Sequence, residues 1–526
     1  MKNLFLVSIL LITIIGYTQT SVILDHNNVA ATINTNVVLF NNDVNNSVGY
    51  EIPKNSGNHA IYSSSFWFGG VDINGQLRLA AQKYTTDNDF STGPLSTFGG
   101  STNTNTGMAF GDAEITPSQI TEYNRTWTVT CADIQSHILQ NGTSQSILEW
   151  PAHGDVSLGQ DFYLAPFYDN PNGPNGANGI YAPLVDGDYP LIRGNKATYM
   201  IFNDKGNTHS SGGEPIGLEI HMMIYQYNTY DFLNNTTFVN LRVINRSTQF
   251  LSPFKLGSFT DPSIGDYNDD FVGCHPSKNL IYAYNSDNND LEYGQNPPAI
   301  GVISLNNSVD VAGHMNNQSN NSAMHTPETA SEYWGYMNAE WGNSGVHFTD
   351  SGTGFGGTIS TNYIYSDINT WSEVSESNVG GDRQMFLATE STELVAGDLK
   401  EYDFAFIYSR DGDNLQNVND LFDVADSVQA FFDNGINTCD QNSLLSNNDI
   451  IKNSPVVIYP NPANNQFKID LDGVFDIEIY SISGQLITIH QKINRNKVLE
   501  TPSARGVYFI KISQNGQYKT EKLIVE

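Results

Sequence analysis

The sequence has few basic side chains for its length. Its 526 residues include 24 Lys and Arg against 56 Asp and Glu, which gives a formal net charge of −32. Such a surface repels a phosphate backbone, so the composition argues against nucleic acid and against an anionic membrane surface as partners. Such an acidic surface is compatible with the binding of divalent cations.

Cysteine and long apolar runs are also scarce. The three cysteines, Cys131, Cys274 and Cys439, leave open which two form a disulfide and which is a free thiol. Their spacing from one another and from histidine does not suggest zinc. After the N-terminus no apolar stretch approaches the roughly 20 residues that span a bilayer, so the sequence predicts no transmembrane segment.

Signatures of the common hydrolases are missing. Neither Gly-x-Ser-x-Gly nor His-Glu-x-x-His occurs, and the absence of a short internal repeat does not favour a propeller or solenoid. Gly, Asn and Tyr are prominent instead, and 11% aromatic residues argue against disorder. This composition is typical of a loop-rich β protein.

The N-terminus is read as a secretory signal peptide over residues 1–18. Lys2 precedes an apolar run from Leu4 to Ile15, which is too short to span a membrane, and Gly16 and Thr18 are small enough for the −3 and −1 positions before a cleavage site. The mature chain is expected to begin near residue 19.

A polar linker is predicted at 441–454, followed by a separate domain at 455–526. Apolar residues alternate there along short segments, as in Phe467, Ile469 and Leu471, which predicts half-buried strands. Ser483-Gly484 and Asn515-Gly516 lie between apolar runs and predict hairpin turns. The expected fold is an immunoglobulin-like antiparallel β-sandwich.

This C-terminal segment resembles the type A sorting domain of the type IX secretion system. The resemblance rests on VVIYPNPANNQFKIDL (456–471), IEIYSISGQLI (477–487), ARGVYFIKI (504–512) and YKTEKLIVE (518–526). It implies recognition by the outer-membrane translocon and its C-terminal signal-processing machinery, followed by removal of the domain or its exchange for a lipid-linked anchor. The implied signal residues are Tyr459, Pro460, Asn461, Pro462, Gly484, Gly506, Tyr508, Lys519 and Lys522.

Residues 19–440 are predicted to form a multi-sheet β-sandwich body with few helices. Strands are expected at 217–227, 239–243, 281–284 and 404–408, where β-branched and aromatic residues cluster between turn residues. One helix is predicted from Leu421 to Phe432, because its apolar residues recur at helical spacing before Asn434-Gly435. A weak break near 100–115 marks a long loop or a subdomain joint.

The body resembles a group of large exported proteins that bear the same sorting domain. Matching blocks include WFGGVDINGQLRLAAQKY (67–84), DGDYPLIRGNKATYMIFND (186–204), DPSIGDYNDDFVGCHPSKNLIYAYNSDNND (261–290) and FAFIYSRDGDNL (404–415). The resemblance implies an extracellular location and supplies no chemistry.

Oxygen-rich loops are candidate structural Ca²⁺ sites. A hard cation takes six to eight oxygen ligands, and Asp, Asn and Gly supply side-chain and backbone oxygens in tight loops. The alternative is that these residues form solvated turns, because the same residue types favour turns. The candidate ligands are Asp169, Asn172, Asp186 and Asp188 in one loop, and Asp261, Asp266, Asn268, Asp269 and Asp270 in another. A third cluster lies at 411–414.

Paired carboxylates are a feature of glycosidases, and exposed aromatic residues are a feature of sugar-binding clefts. Glu219 and His221 share a face of a predicted strand, where a hydrogen-bonded structural pair is favoured over a catalytic one. Aromatic residues in polar loops can stack on sugar rings, but a core role is favoured for them. They are Trp67, Trp334, Tyr336, Trp341 and Trp371.

The sequence thus predicts a secreted or cell-surface protein, exported through the periplasm by the type IX system. Its body is interpreted as a non-enzymatic binding, adhesive or structural component whose ligand is an extracellular polymer or protein. The alternative is a secreted hydrolase acting on polysaccharide or protein. A buried carboxylate pair in a cleft favours the hydrolase, whereas an aromatic face with cation-filled loops favours binding.

Overall fold

The structure is a computed structural model that describes residues 21–42, 47–317, 323–342, 344–435, 439, 457–471, 473–481, 486–495, 497–514 and 517–526. The chain divides into two compact units, Met1–Ile436 and Asn437–Glu526. Antiparallel strands dominate the described residues of both units and helices are few, which confirms the predicted mostly β class. The predicted signal peptide and the linker at 441–454 lie outside the described residues.

The strands of the first unit, numbered in chain order, are β1 Ser21–Leu24, β2 Ala30–Asn34, β3 Asn41–Asn42, β4 Ser47–Val48, β5 Tyr50–Glu51, β6 His59–Asp72, β7 Leu77–Ala81, β8 Ser91–Thr92, β9 Ser101–Thr102, β10 Ala109–Phe110, β11 Trp127–Thr130, β12 Phe167–Tyr168, β13 Tyr189–Pro190, β14 Lys196–Asn203, β15 Leu218–Gln226, β16 Thr237–Asn245, β17 Leu251–Pro262, β18 Asp270–His275, β19 Leu280–Asn285, β20 Asn289–Asp290, β21 Gly294–Gln295, β22 Ala299–Ser304, β23 Val309–Asn316, β24 Arg383–Thr389, β25 Thr392–Leu394 and β26 Leu399–Ser409. The described α-helices are α1 Pro117–Tyr123, α2 Cys131–Ile138, α3 Gln145–Leu148, α4 Pro183–Asp186, α5 Ala330–Met337 and α6 Asn414–Asp433. Short 3₁₀ turns occupy Val156–Leu158, Phe232–Asn235 and Pro276–Lys278.

Two nine-stranded sheets make up most of this unit. The first has the order β1-β2-β5-β6-β17-β24-β23, with β7 also paired to β6 and β25 to β17. The second has the order β11-β14-β15-β16-β26-β22-β19-β18, with β8 also paired to β14. The predicted strands at 217–227, 239–243, 281–284 and 404–408 correspond to β15, β16, β19 and β26 and are confirmed. The stretch near 100–115 contributes a small hairpin of β9 and β10.

The inner faces of the two sheets pack against each other as a β-sandwich. Phe66 of β6 and Phe404 of β26 meet across the interface with ring centroids 5.3 Å apart, within one continuous apolar core. All nine residues of β15 are buried, because the segment around residues 95–195 covers the outer face of the second sheet. Burial on both faces of β15 leaves even the polar side chains Glu219 and His221 without contact with solvent.

Helix α6 confirms the helix predicted near the end of the body. Its residues Leu421, Ala425 and Val428 are buried, and the helix packs on β26, β22 and β19. Asp413 caps its N-terminus by accepting a 2.8 Å hydrogen bond from the backbone N–H of Gln416. The helix starts seven residues before the first apolar residue of the predicted stripe because this cap fixes its first turn.

The second unit is a compact pair of sheets. Its strands are β27 Val457–Tyr459, β28 Gln466–Asp470, β29 Phe475–Ser481, β30 Leu486–Ile493, β31 Leu499–Glu500, β32 Gly506–Gln514 and β33 Gln517–Val525. One sheet has the order β27-β28-β31 and the other β30-β29-β32-β33. The predicted alternation is confirmed, since Phe467, Ile469, Ile477, Ile479 and Ile510 share one buried core. The predicted turns at Ser483-Gly484 and Asn515-Gly516 lie outside the described residues.

Candidate functional site

An open cavity of about 590 Å³ lies at one end of the first sheet, where β17 finishes and β24 begins. Strand β6 runs beside β17, and their register shifts between Asp261 and Pro262, which interrupts the ladder at the cavity wall. The lining residues are Val48, Tyr62, Tyr84, Thr85, Thr86, Asp261, Pro262, Ser263, Tyr267, Asn317 and Asp382. We call this the Tyr–Asp pocket.

Asp261 forms the most buried part of the pocket wall. Asp261 is only 6% exposed, and its Oδ2 accepts a 2.7 Å hydrogen bond from the Tyr84 hydroxyl. The side-chain amide of Gln384 donates to the Tyr84 hydroxyl and, at 3.5 Å, to the same carboxylate oxygen. Burial raises the pKa of Asp261 to about 7, and the nearby Asp382 carboxylate adds to that rise, against the lowering effect of Tyr84 and Gln384.

Asp382 is the second carboxylate of the pocket. It immediately precedes β24, and its Oδ2 accepts a 2.8 Å hydrogen bond from the Asn317 side chain. Partial burial raises its pKa above the usual value. Two carboxylates therefore face one cavity, and each is held in place by a neighbouring amide or hydroxyl group.

Three tyrosines supply the aromatic surface of the pocket. Tyr62 and Tyr84 approach edge to face with ring centroids 5.9 Å apart, and Tyr84 makes a similar contact with Phe259 below it. Tyr267 lies on the loop after β17 and is 51% exposed. The pocket thus combines two fixed rings with one accessible ring.

The basic residues nearest in sequence to the pocket are engaged elsewhere. Lys83 donates to the backbone carbonyl of Pro327 and lies 5.5 Å from the ring centre of Tyr333. The guanidinium of Arg383 binds Glu373 through Nε and Nη2, at 3.1 to 3.2 Å and 2.9 Å. Among the described residues that line the pocket, Asp261 and Asp382 are the charged ones, and both are acidic.

Asp261 has different hydrogen-bond partners from the other residues of its predicted cation loop. Asp266 and Asn268 form a turn in which Asp266 Oδ1 accepts from the backbone and side-chain amides of Asn268. Asp270 is wholly buried, with Oδ2 bound to the N–H of Ile264 and Oδ1 without a hydrogen-bond partner. Burial raises the pKa of Asp270 well above its usual range and that of Asp269 to about 6, with neighbouring carboxylates contributing in the same direction.

The other predicted cation loop is held by hydrogen bonds to backbone N–H groups. Asp188 accepts from Asn170 at 2.9 Å and from Ala182 at 2.7 Å, and Asp186 accepts from Asn175 at 2.9 Å. Asp169 similarly binds the N–H groups of residues 178 and 179, whereas the Asn172 N–H donates to residue 170. These contacts are those of ordinary turns.

Neither loop presents a ready-made metal centre. Within the described ranges, no group of three or more His, Cys, Asp or Glu side chains is arranged to hold a metal ion. The Ca²⁺ assignment accordingly stays a prediction, and it is sharpest at Asp269 and Asp270, where a partly buried and a buried carboxylate lie close together.

Glu219 and His221 form the structural pair that their spacing suggests. His221 Nε2 lies 2.8 Å from Glu219 Oε1, and both side chains are fully buried on the outer face of β15. Arg246 donates to the same Glu219 oxygen at 2.6 Å, and this contact helps to hold the pKa of Glu219 at about 2 despite burial. The aromatic candidates Trp67, Tyr336 and Trp341 are likewise buried in the core, and Trp334 and Trp371 pack against it.

The cysteines are assigned by the structure. Cys131 and Cys439 are disulfide-bonded, while Cys274 is a buried free thiol that donates to the carbonyl of Ile364. Burial raises the pKa of the Cys274 thiol, which makes it a poor nucleophile.

In the second unit, the signal residues 459–462 are attached to the last strand. The Asn461 side chain donates to the carbonyl of Lys522 at 2.7 Å and accepts from the N–H of Ile524 at 2.8 Å. Gly506 pairs with Val525, and Tyr508 is buried with its hydroxyl on the carbonyl of Ala504. Lys519 and Lys522 lie on β33, whereas Gly484 is outside the described residues. The first motif of the segment, at 459–462, is thus hydrogen-bonded to its last motif, on β33.

This segment has the fold and motifs of an export signal. Residues 457–526 match the family described as "Secretion system C-terminal sorting domain". The second unit is therefore a C-terminal sorting domain. Its motifs are those of the type IX system, so the protein is exported to the cell surface or the extracellular space.

Other comparisons add little to this assignment. No curated protein matches the chain. Among the solved structures that match is a polysaccharide lyase at 8% identity and a TM-score of 0.19, with the match covering 58% of this chain and 34% of the lyase. The chain thus spans about one third of that structure, and so distant a likeness carries no conclusion about activity. Over the described residues, the helices are too short or too polar to cross a membrane.

Sequence reasoning singled out Asp261 but missed the rest of the Tyr–Asp pocket. Tyr62, Tyr84 and Asp382 are far from Asp261 in sequence and meet it only through the pairing of β6, β17 and β24. A usable signal was available, because Tyr84 ends one of the blocks on which the resemblance of the body to exported proteins rests and Asp261 begins another.

Proposed function

We propose that the exported body is a non-enzymatic binding component that holds a saccharide unit of an extracellular polymer in the Tyr–Asp pocket. The observation that carries this proposal is the composition of the cavity wall. Three tyrosine rings suit the apolar faces of a sugar, while Thr85, Thr86, Ser263 and Asn317 offer hydrogen bonds to hydroxyl groups. A volume of about 590 Å³ falls within the usual range for small-ligand sites.

The position of the pocket supports a binding role. It lies at the end of a sheet whose strands are fixed by the core of the sandwich, so its strand residues Tyr62 and Asp261 need little ordering when a ligand enters. Export to the cell exterior brings such a pocket to polymers outside the cell.

A hydrolase is the second candidate, and one observation favours it. Asp261 and Asp382 both line the pocket, and a carboxyl group with a pKa near 7 is suited to general acid catalysis. Against this role, Asp261 is almost fully buried and its Oδ2 is engaged by Tyr84 and Gln384. Those contacts favour a carboxyl group that shapes the pocket.

The test is a glycan array probed with the purified body, followed by calorimetric titration of each hit. Tyr267→Ala should weaken binding by about tenfold, because it removes an exposed stacking ring without opening the core. The control is Tyr230→Ala, at a fully exposed tyrosine outside the pocket. Bound oligosaccharides should be recovered intact, whereas new reducing ends that disappear in Asp261→Asn would establish the hydrolase instead.

A further inference from the structure

The negative charge of the pocket restricts the class of ligand that it can bind. Asp261 and Asp382 are the charged residues among its described lining, and three tyrosines stand beside them. An anionic site with aromatic walls is complementary to an organic cation, through carboxylate contacts and through attraction to the negative ring faces.

The neighbouring basic side chains do little to neutralise the carboxylates of Asp261 and Asp382. Lys83 is directed to Pro327 and Tyr333, and Arg383 is paired with Glu373 through two of its nitrogens. The net charge of −32 gives the surroundings the same sign. An acidic sugar such as a uronate would meet repulsion here without a basic partner, whereas an ammonium group would be attracted.

We infer that the Tyr–Asp pocket selects an amino sugar, whose protonated amine lies against Asp261 and Asp382 while its hydroxyls meet the polar rim. This inference rests on the proposed saccharide-binding function and specifies its ligand. The hydroxyl and amide groups of Thr85, Thr86, Ser263 and Asn317 favour a sugar over a bare alkyl amine, which would leave them without partners.

The acid–base behaviour of the pocket agrees with this ligand. Asp261 faces Asp382 and Tyr84, with Lys83 contributing a weaker opposite effect, and burial keeps its pKa near 7. A bound ammonium group stabilises the charged carboxylate, so ligand binding should lower that pKa. Affinity should therefore rise as pH increases toward 7 and fall again when the amine loses its proton.

The experiment compares two trisaccharides that differ at nitrogen alone, β-1,4-linked triglucosamine and its fully N-acetylated form, by calorimetric titration of the purified full-length protein near pH 7. Triglucosamine should bind at least about tenfold more tightly, and Asp261→Asn with Asp382→Asn should remove that preference. Asp423→Asn is the matched control, since it removes one exposed carboxylate on α6, outside the pocket. Thermal melts of each variant establish that the fold is intact.

The outcomes separate the two proposals. Equal or tighter binding of the N-acetylated form overturns the amino-sugar inference and leaves saccharide binding standing. Absence of binding by both trisaccharides and by every glycan of the array overturns both. Trilysine is a third probe, and binding as tight as that of triglucosamine would overturn the sugar assignment in favour of a peptide amine. Retention of triglucosamine affinity in the double variant would place the ligand outside the pocket.

Discussion

The hydroxyl group of Tyr84 donates a 2.7 Å hydrogen bond to Oδ2 of Asp261, which ties the loop after β7 to the end of β17. The two residues are 177 positions apart in the chain. Their contact fixes that loop at the point where the ladder between β6 and β17 is interrupted.

Tyr84→Phe should destabilise the body by about 1–3 kcal/mol, because it leaves a buried carboxyl group without its best donor. The ring contacts with Tyr62 and Phe259 remain possible in the variant, so packing should change little. The measurement is urea unfolding, with Tyr267→Phe, at an exposed ring, as the control. A loss equal to that of the control would mean that the hydrogen bond has no net stabilising effect.

Asp261 should make stability depend on pH in a defined direction. Its folded pKa is raised from 3.8 to about 7, so between these values the folded state holds a proton that the unfolded state has released. Stability should therefore fall as pH rises from about 4 to about 7. The total is on the order of 4 kcal/mol at most, since one pKa unit corresponds to about 1.4 kcal/mol.

Asp261→Asn isolates this contribution from those of other buried acids. The amide stays neutral at every pH and retains an acceptor for Tyr84, so the variant should be more stable than wild type at pH 8 and nearly equal to it at pH 4. Chemical unfolding at a series of pH values measures the difference. Parallel stability curves for the two proteins would show that Asp261 ionises freely in the folded state.

We retain Ca²⁺ as a proposal for the crowded carboxylates at Asp269 and Asp270. If a cation binds there, a chelator should lower the melting temperature, and Asp269→Asn with Asp270→Asn should abolish that sensitivity. The sign of the mutational effect discriminates further. With a bound cation the double variant is destabilised, whereas without one it is stabilised, because the buried Asp270 and the partly buried Asp269, which repel each other, become neutral. Asp186→Asn tests the other loop in the same way.

Thiol labelling should distinguish the three cysteines. The native protein should resist iodoacetamide, because Cys131 and Cys439 are disulfide-bonded and Cys274 is buried. Denaturant alone should permit one adduct, at Cys274, and denaturant with reductant should permit three. Intact-mass analysis counts the adducts, and a labelled native protein would contradict the burial of Cys274.

Export should require the sorting domain and, within it, the hydrogen bonds that join Asn461 to β33. Deletion of 455–526 should leave the protein in the periplasm of a type IX-competent host. Asn461→Ala should reduce export as well, because Asn461 holds residues 459–462 to β33 through two hydrogen bonds. Asn464→Ala, at an exposed neighbouring asparagine, is the control, and fractionation with intact-mass analysis locates each form. Equal appearance of the deleted and full-length forms outside the cell would refute the role of the domain.

Local pattern determined a large part of this protein. The alternation at Phe467, Ile469 and Leu471 and the helical stripe from Leu421 to Val428 predicted real elements, because each periodicity reports a face that must be buried. The sorting domain was evident from short motifs, since each motif is a continuous run of residues in the chain. Glu219 and His221 were paired correctly for the same reason, as residues two apart on a strand share a face.

The tertiary structure alone decided the pocket. Asp261 looked like part of a local acidic loop, but its side chain meets Tyr84 and Gln384, which strand pairing brings from distant parts of the chain. The charge of the pocket could not be predicted from the sequence either, because it depends on which groups the side chains of Lys83 and Arg383 bind. Sequence fixes which side chains are available locally, whereas long-range antiparallel pairing determines which of them share a cavity, and spacing along the chain carries no record of that pairing.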